Sequence, residues 1–243
     1  LKRMKAEQKK RDANTKKWVG FVQEANGQLN TLLPAIQKAL INSTGYKLDL
    51  RSSVDIVKKY VLPWLGEDPI FLVVLDCMRL DQWRVISPLL SPFFEVEENW
   101  HYSILPTATP YARNAIFSGR FPDQIARDRP EWWNQSDDEG SLNAFEDELL
   151  LDQLKRLTGR SVPVHYQKIF SDREANQVRA RVNSALRTRN SVIAMVFNFV
   201  DLMTHGRSES PILMEVAKDE AALRSLTKSW FERSTAYQVL MEA

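Results

Sequence analysis

The run Ile70-Phe71-Leu72-Val73-Val74-Leu75, led in by Gly66 and Pro69, decides how the rest of the chain is read. An unbroken apolar stretch rich in β-branched side chains marks a strand buried on both faces, as strands are in parallel sheets covered by helices. Asp76 follows at its carboxyl end. Working outward, residues 192–200 read as a second such strand, ending in Asp201, and residues 162–169 as a weaker third. Helical periodicity occupies residues 80–90, 110–117, 143–157 and 177–186, and the chain closes with helical patterns at 212–216 and 220–241. This alternation predicts an α/β domain with a mainly parallel sheet between helices.

Upstream of Gly66 the pattern changes. Trp18, Phe21, Val22, Leu29, Leu32, Leu33, Ile36 and Leu40 recur at helical spacing, and residues 55–65 form another short amphipathic helix. A small helical unit over 1–66 is therefore expected ahead of the α/β domain at 67–243. Residues 122–140, with Trp132, Trp133 and a cluster of acids, have no period and read as a long surface insertion.

With 44% hydrophobic and 26% charged residues the composition is that of an ordinary soluble chain. Its apolar runs fall far short of the roughly 20 residues needed to cross a bilayer, and cytoplasmic residence is the expectation. The net charge of +2 is unevenly spread: residues 1–17 hold eight Lys/Arg against two acids. That basic head reads as a solvated helix or frayed end rather than a nucleic-acid arm. The single cysteine, Cys77, excludes a disulfide framework and a Cys-rich zinc site, leaving His and carboxylates as metal ligands. Cys77 itself is expected to pack in the core.

In open α/β sheets ligands bind at the carboxyl ends of the strands, which places Asp76 and Asp201 on one edge. Four residues past Asp201 stands His205. A carboxylate and an imidazole at that spacing make a metal half-site, or His205 is a surface loop residue beside Gly206. His101 and His165, in strand-like segments, read as core or surface residues. Thr109 precedes Pro110 and a helical pattern, and so would be an N-cap with Pro at the first helical position. Free N–H groups there would face a phosphoryl group, although an ordinary capping Thr has the same pattern. Thr107 is the less favoured nucleophile. Arg113, one turn on, offers a planar fork to phosphate oxygens or is a surface arginine.

Taken in order, Asp76, Thr109 ahead of the helix ending at Gly119, and the Asp201/His205 pair resemble the alkaline-phosphatase superfamily. Three local stretches, Leu75-Asp76-Cys77-Met78-Arg79-Leu80-Asp81-Gln82-Trp83, residues 104–109 and residues 198–207, look closest to the PglZ-type output domain of PorX-like bacterial response regulators. The resemblance runs from about residue 54 onward, and the helices before it are similar to the bundle that joins such a domain to a receiver domain. It implies a two-zinc phosphodiesterase acting on nucleotide-type phosphodiesters, cyclic or linear oligonucleotides among them. It also implies two-component signalling linked to type IX secretion, with an upstream receiver domain, a sensor kinase and homodimerisation on activation. By position, Asp76 and Thr109 would bind one zinc and Asp201 and His205 the other, with Thr109 attacking phosphorus. The superfamily also needs an Asp-His pair on a later strand and a further His, which the sequence, ending at Ala243, does not reach. A fragment with little activity and an open sheet edge or apolar groove is the corresponding expectation. The competing expectation is a non-catalytic signalling and dimerisation module that binds protein partners.

Overall fold

The computed structural model describes residues 51–133, 143–170 and 175–243, with scattered residues between 17 and 38. Most of the basic head and the acidic end of the 122–140 insertion lie outside the described residues. The chain divides into two compact units, residues 1–60 with 100–153, and residues 61–99 with 154–243. The division at 66/67 expected from sequence does not follow that partition, because residues 100–153 group with the start of the chain.

In chain order the elements are β1 (Ile70–Leu75), α1 (Leu80–Leu90), α2 (Thr109–Ser118), α3 (Pro122–Asp128), α4 (Glu146–Thr158), β2 (Val164–Ile169), α5 (Ala175–Ala185), β3 (Val192–Phe197), α6 (Phe199–Glu209), α7 (Pro211–Val216), α8 (Glu220–Arg233) and α9 (Thr235–Glu242). The fold is mixed α/β with a small parallel sheet, as the alternation predicted.

In the second unit the sheet runs β1-β3-β2, all parallel, with Phe71, Val73 and Leu75 opposite Ile193, Met195 and Phe197. β3 is central and buried at every residue, which is why its sequence is continuously apolar. One core cluster joins Ile169, Val178, Val182, Ile193, Met195, Phe197 and Val239, and a second joins Ile86, Val200, Phe231 and Tyr237. Each fully buried aliphatic or aromatic side chain contributes about 1.5–3 kcal/mol relative to exposure. Trp230 stacks on Phe199 with ring centroids 4.2 Å apart.

Two expected elements come out differently. The strand expected over 192–200 stops at Phe197, and α6 starts at Phe199 after Asn198. The helix expected over 220–241 is two helices, because the Ser234 hydroxyl accepts the Tyr237 N–H at 3.3 Å and starts a new one. Beside β1 lies an apolar cavity of about 500 Å³, lined by Phe71, Val73, Leu75, Trp83, Phe231 and Tyr237 among others. The buried Tyr237 hydroxyl has no hydrogen-bond partner there.

In the first unit Ser52 bridges Tyr102, and the single helix expected over residues 55–65 is instead three short helical turns over 53–64, the last of which falls in the second unit. Part of the expected insertion is ordered as α3 and a 3₁₀ turn at Pro130–Trp132, with the Arg129 guanidinium over the Trp132 ring. Among the described residues no helix is long and apolar enough to cross a membrane.

Candidate active site

The second unit assembles the carboxyl edge of the sheet. The Asp76 N–H donates to the Phe197 carbonyl at 3.0 Å, so the hydrogen-bond ladder between β1 and β3 continues one residue past the strand and fixes Asp76 at the mouth of β3. Asp76 is only 7% exposed. Cys77 then turns the chain at φ 57, a left-handed conformation that few side chains adopt. Gln82 fixes the end of this loop: its Oε1 accepts the Arg79 N–H at 3.0 Å and its Nε2 donates to Thr227 Oγ1 at 3.0 Å, tying α1 to α8.

Cys77 is exposed, not packed in the core as expected. Desolvation pushes its thiol up first, followed by the Asp201 and Asp76 carboxylates and a hydrogen bond with Asp201. The thiol thus hydrogen-bonds with Asp201, feels the charge of Asp76 as well, and stays protonated at neutral pH. Both aspartates stand at the carboxyl edge of the sheet, Asp76 directly after β1 and Asp201 a few residues past β3. Asp201, however, stands in the first turn of α6 and not at a strand end, and His205 lies one helical turn on. Helical geometry stacks residues i and i+4, which brings His205 Nε2 to 3.3 Å from Asp201 Oδ1. His205 is exposed and Asp201 mostly buried.

Asp76, Asp201 and His205 offer the oxygen and nitrogen donors that zinc takes. Among the described residues, however, no three His, Cys, Asp or Glu side chains are grouped to hold a metal ion. They fit part of a zinc site and not a whole one. His101 and His165 add nothing to it; His165, on β2, buries Nε2 without a hydrogen-bond partner.

In the first unit Thr109 is the first residue of α2, and the cap position falls to Ala108. Thr109 is half-buried and Thr107 is exposed. The expected cradle of free N–H groups is smaller than the sequence suggested. Pro110 has none, and the Tyr111 and Ala112 amides already donate to the Ala108 carbonyl at 3.0 Å. The segment before Thr109 is firmly anchored: Ile104 is buried and its N–H donates to Ser53 Oγ, while the Asn26 side-chain amide clamps both the N–H and the carbonyl of Leu105 at 3.0 and 2.7 Å. No motif in the sequence signals this role of Asn26.

Arg113 is not the surface arginine that the sequence allowed. It is 4% exposed, and its fork is bound by Glu146, Nε to Oε1 at 2.8 Å and Nη2 to Oε2 at 2.6 Å. Asn143 donates to the same carboxylate at 2.9 Å. Arg113 therefore ties α2 to α4. Arg79, in the loop after β1, and Arg207, in the last turn of α6, follow the two carboxylates along the chain, and the sequence reading selected neither. The position of Arg79, three residues past a strand-end aspartate, was the available signal.

A parallel sheet with two aspartates gathered at its carboxyl edge, one of them a turn ahead of a histidine on the following helix, is of the alkaline-phosphatase-like class. Residues 56–243 match the sequence model of the BREX system PglZ alkaline phosphatase-like domain, and the chain belongs to that family. No curated protein matches the chain.

Proposed function

We propose that this domain is a zinc-dependent phosphodiesterase acting on nucleotide-type phosphodiesters, cyclic or linear oligonucleotides among them. The observation that carries the reading is the placing of Asp76 and Asp201 at one sheet edge, with His205 Nε2 3.3 Å from Asp201 Oδ1. Membership of an alkaline-phosphatase-like family supports hydrolysis of phosphoesters. In this reading Thr109 is the nucleophile, and Asp76, Asp201 and His205 are metal ligands. The setting proposed for it is a cytoplasmic two-component regulator linked to type IX secretion, with an upstream receiver domain, a sensor kinase and homodimerisation on activation. The family's own description points instead to BREX systems.

The test is turnover of a chromogenic phosphodiester by the full-length natural protein with zinc added. Thr109→Val should abolish it without lowering the unfolding midpoint, and retained turnover would remove Thr109 from the mechanism. Asp201→Asn and His205→Ala should each lower bound zinc, measured by mass spectrometry, because loss of one ligand cripples a three-ligand site. Unchanged zinc in both variants would take these residues out of the site.

A second reading, a binding module without catalysis, is favoured by the apolar cavity beside β1 and by the exposed Phe93 and Phe94 close to it in sequence. Wild-type protein that is zinc-free and inert toward every diester, yet retains a partner, would establish it.

A further inference from the structure

Beyond the Asp76/Asp201 corner the second unit carries a ladder of alternating charges. Arg224 donates to Asp81 at 2.9 Å, Arg79 donates to Asp81 through Nε and Nη2 at 2.9 and 2.8 Å, Arg79 also pairs with Glu220, and Glu220 accepts from Arg207 at 2.9 Å. Arg207 is further held by the Lys218 carbonyl at 2.9 Å. Three guanidinium groups thus share two carboxylates, and the surplus positive charge is fixed in place by its own neighbours. A guanidinium has five N–H donors, of which these contacts use three on Arg79 and two on Arg207, leaving donors on both.

Arg207 lines an open pocket of about 410 Å³ together with Thr204, Ser208, Met214 and Lys218. No carboxylate lines it. Among the described residues the Lys218 ammonium, which is exposed, has no partner. Thr204 and Ser208 already donate their hydroxyl protons to the Val200 and His205 carbonyls at 2.8 Å, so the donors available to a ligand here are those of Arg207 and Lys218. Exposed Met214 adds an apolar, polarisable patch of the kind that accepts a flat ring. Along α6, Asp201 and Arg207 are six residues apart, about 9 Å of helix rise.

We infer that Arg207 and Lys218 form a subsite for a second, uncleaved phosphate of the substrate, so that the domain takes a linear oligonucleotide in preference to an isolated phosphoester. This rests on the phosphodiesterase reading above, which puts the cleaved phosphate at the Asp76/Asp201/His205 corner. A single phosphoester would leave the cationic pocket one to two helical turns away without a ligand. A chain with a second phosphate, and a base to lie on Met214, fills both. Arg79 acts as a positioning residue, because it holds Glu220 and through it Arg207.

The experiment is fluorescence anisotropy of a labelled trinucleotide, and of the labelled mononucleoside as control, with the full chain in EDTA, where neither metal-mediated binding nor turnover contributes. The trinucleotide should bind, with affinity that falls as salt rises, and the mononucleoside should not. Arg207→Ala should weaken binding about tenfold, the scale of a charge-assisted phosphate contact. Lys218→Glu should do at least as much and, being exposed and unpaired, leaves the fold intact. Arg189→Ala removes the same charge just ahead of β3, at the amino end of the sheet, and should change nothing. Wild-type binding no tighter for the trinucleotide than for the mononucleoside, Lys218→Glu binding as wild type, or an equal loss in Arg189→Ala each overturns the subsite. A protein that binds the trinucleotide through these residues but hydrolyses no diester with zinc keeps the subsite and loses the catalytic reading. One that cleaves a small chromogenic diester but does not bind the trinucleotide does the reverse.

Discussion

Two arginine–carboxylate systems, one in each unit, show how burial assigns work to the same chemistry. Arg113 and Glu146 in the first unit are 5% and 0% exposed at their side chains and spend their charge on each other. Arg79, Asp81, Glu220 and Arg207 in the second stay between 30% and 53% exposed, and share their charges in a chain that leaves donors over. A buried pair is costly to break because the survivor is stranded without solvent. An exposed one is worth little to stability, since water replaces whichever partner is lost. The first kind holds a fold together, whereas the second remains able to bind.

The largest effect should come from breaking the buried pair. Arg113→Ala, which strands Glu146, should cost about 3–5 kcal/mol in urea unfolding, whereas Arg113→Ala combined with Glu146→Leu should recover a good part of that. A single variant with near-wild-type stability would mean that the pair is not closed to water.

The helix-ending glycines carry the comparison to the backbone. Gly119 and Gly159 both have positive φ, 60° and 71°, but a Cβ on Gly119 would stand 2.5 Å from Gln153 Oε1, while one on Gly159 meets nothing within 4 Å. Gln153 is buried and donates to the Ile116 and Phe117 carbonyls, so it yields only by giving up those bonds. Gly159→Ala should cost about 1–2 kcal/mol from strain alone, and Gly119→Ala about 1 kcal/mol or more beyond that. Equal costs in thermal unfolding would show that Gln153 moves aside freely.

The smallest effect is expected at the edge ladder. Asp81→Asn should leave the unfolding midpoint near wild type at neutral pH, while weakening trinucleotide binding by loosening Arg79. The Asp81 carboxyl is held well below its usual range by hydrogen bonds from Arg79 and Arg224, and Glu220 is lowered chiefly by Arg207. Both folded-state values are depressed, so whatever stability they add is complete above the unfolded values near 4 and is lost only as pH falls below them. Stability measured from pH 7 to 5 should therefore not change on their account, and a wild-type minus Asp81→Asn difference that grows over that range would contradict the assignment.

Much of the fold was legible. β1 and α1 fall where their apolar runs place them, because a six-residue β-branched run and an eleven-residue amphipathic one leave little ambiguity. The end of β3 was not legible: Phe199 and Val200 continue the apolar run, and a short buried run does not say where strand gives way to helix. That shift moved Asp201 from a strand end to a helix turn, and it is the helix that brings His205 beside it. The break at Ser234 was hidden because neither Gly nor Pro marks it. The site was legible in its carboxylates, which strand ends gather at one edge. It was not legible in its arginines. Arg113 lies on a helix whose burial is fixed by Glu146, 33 residues away, and no local pattern records that partner.

The turn at Cys77 has a practical consequence. The protein carries one sulfhydryl, and its backbone geometry holds that group in solvent beside Asp76 and Asp201. Because desolvation first and those acids second suppress ionisation, a maleimide dye will attach slowly at pH 7 and faster as pH rises. Whatever occupies the corner will shield the sulfur or change the colour and lifetime of a dye already attached. The domain thus supplies its own single-position reporter, and occupancy can be followed without turnover, a known substrate or a second engineered label.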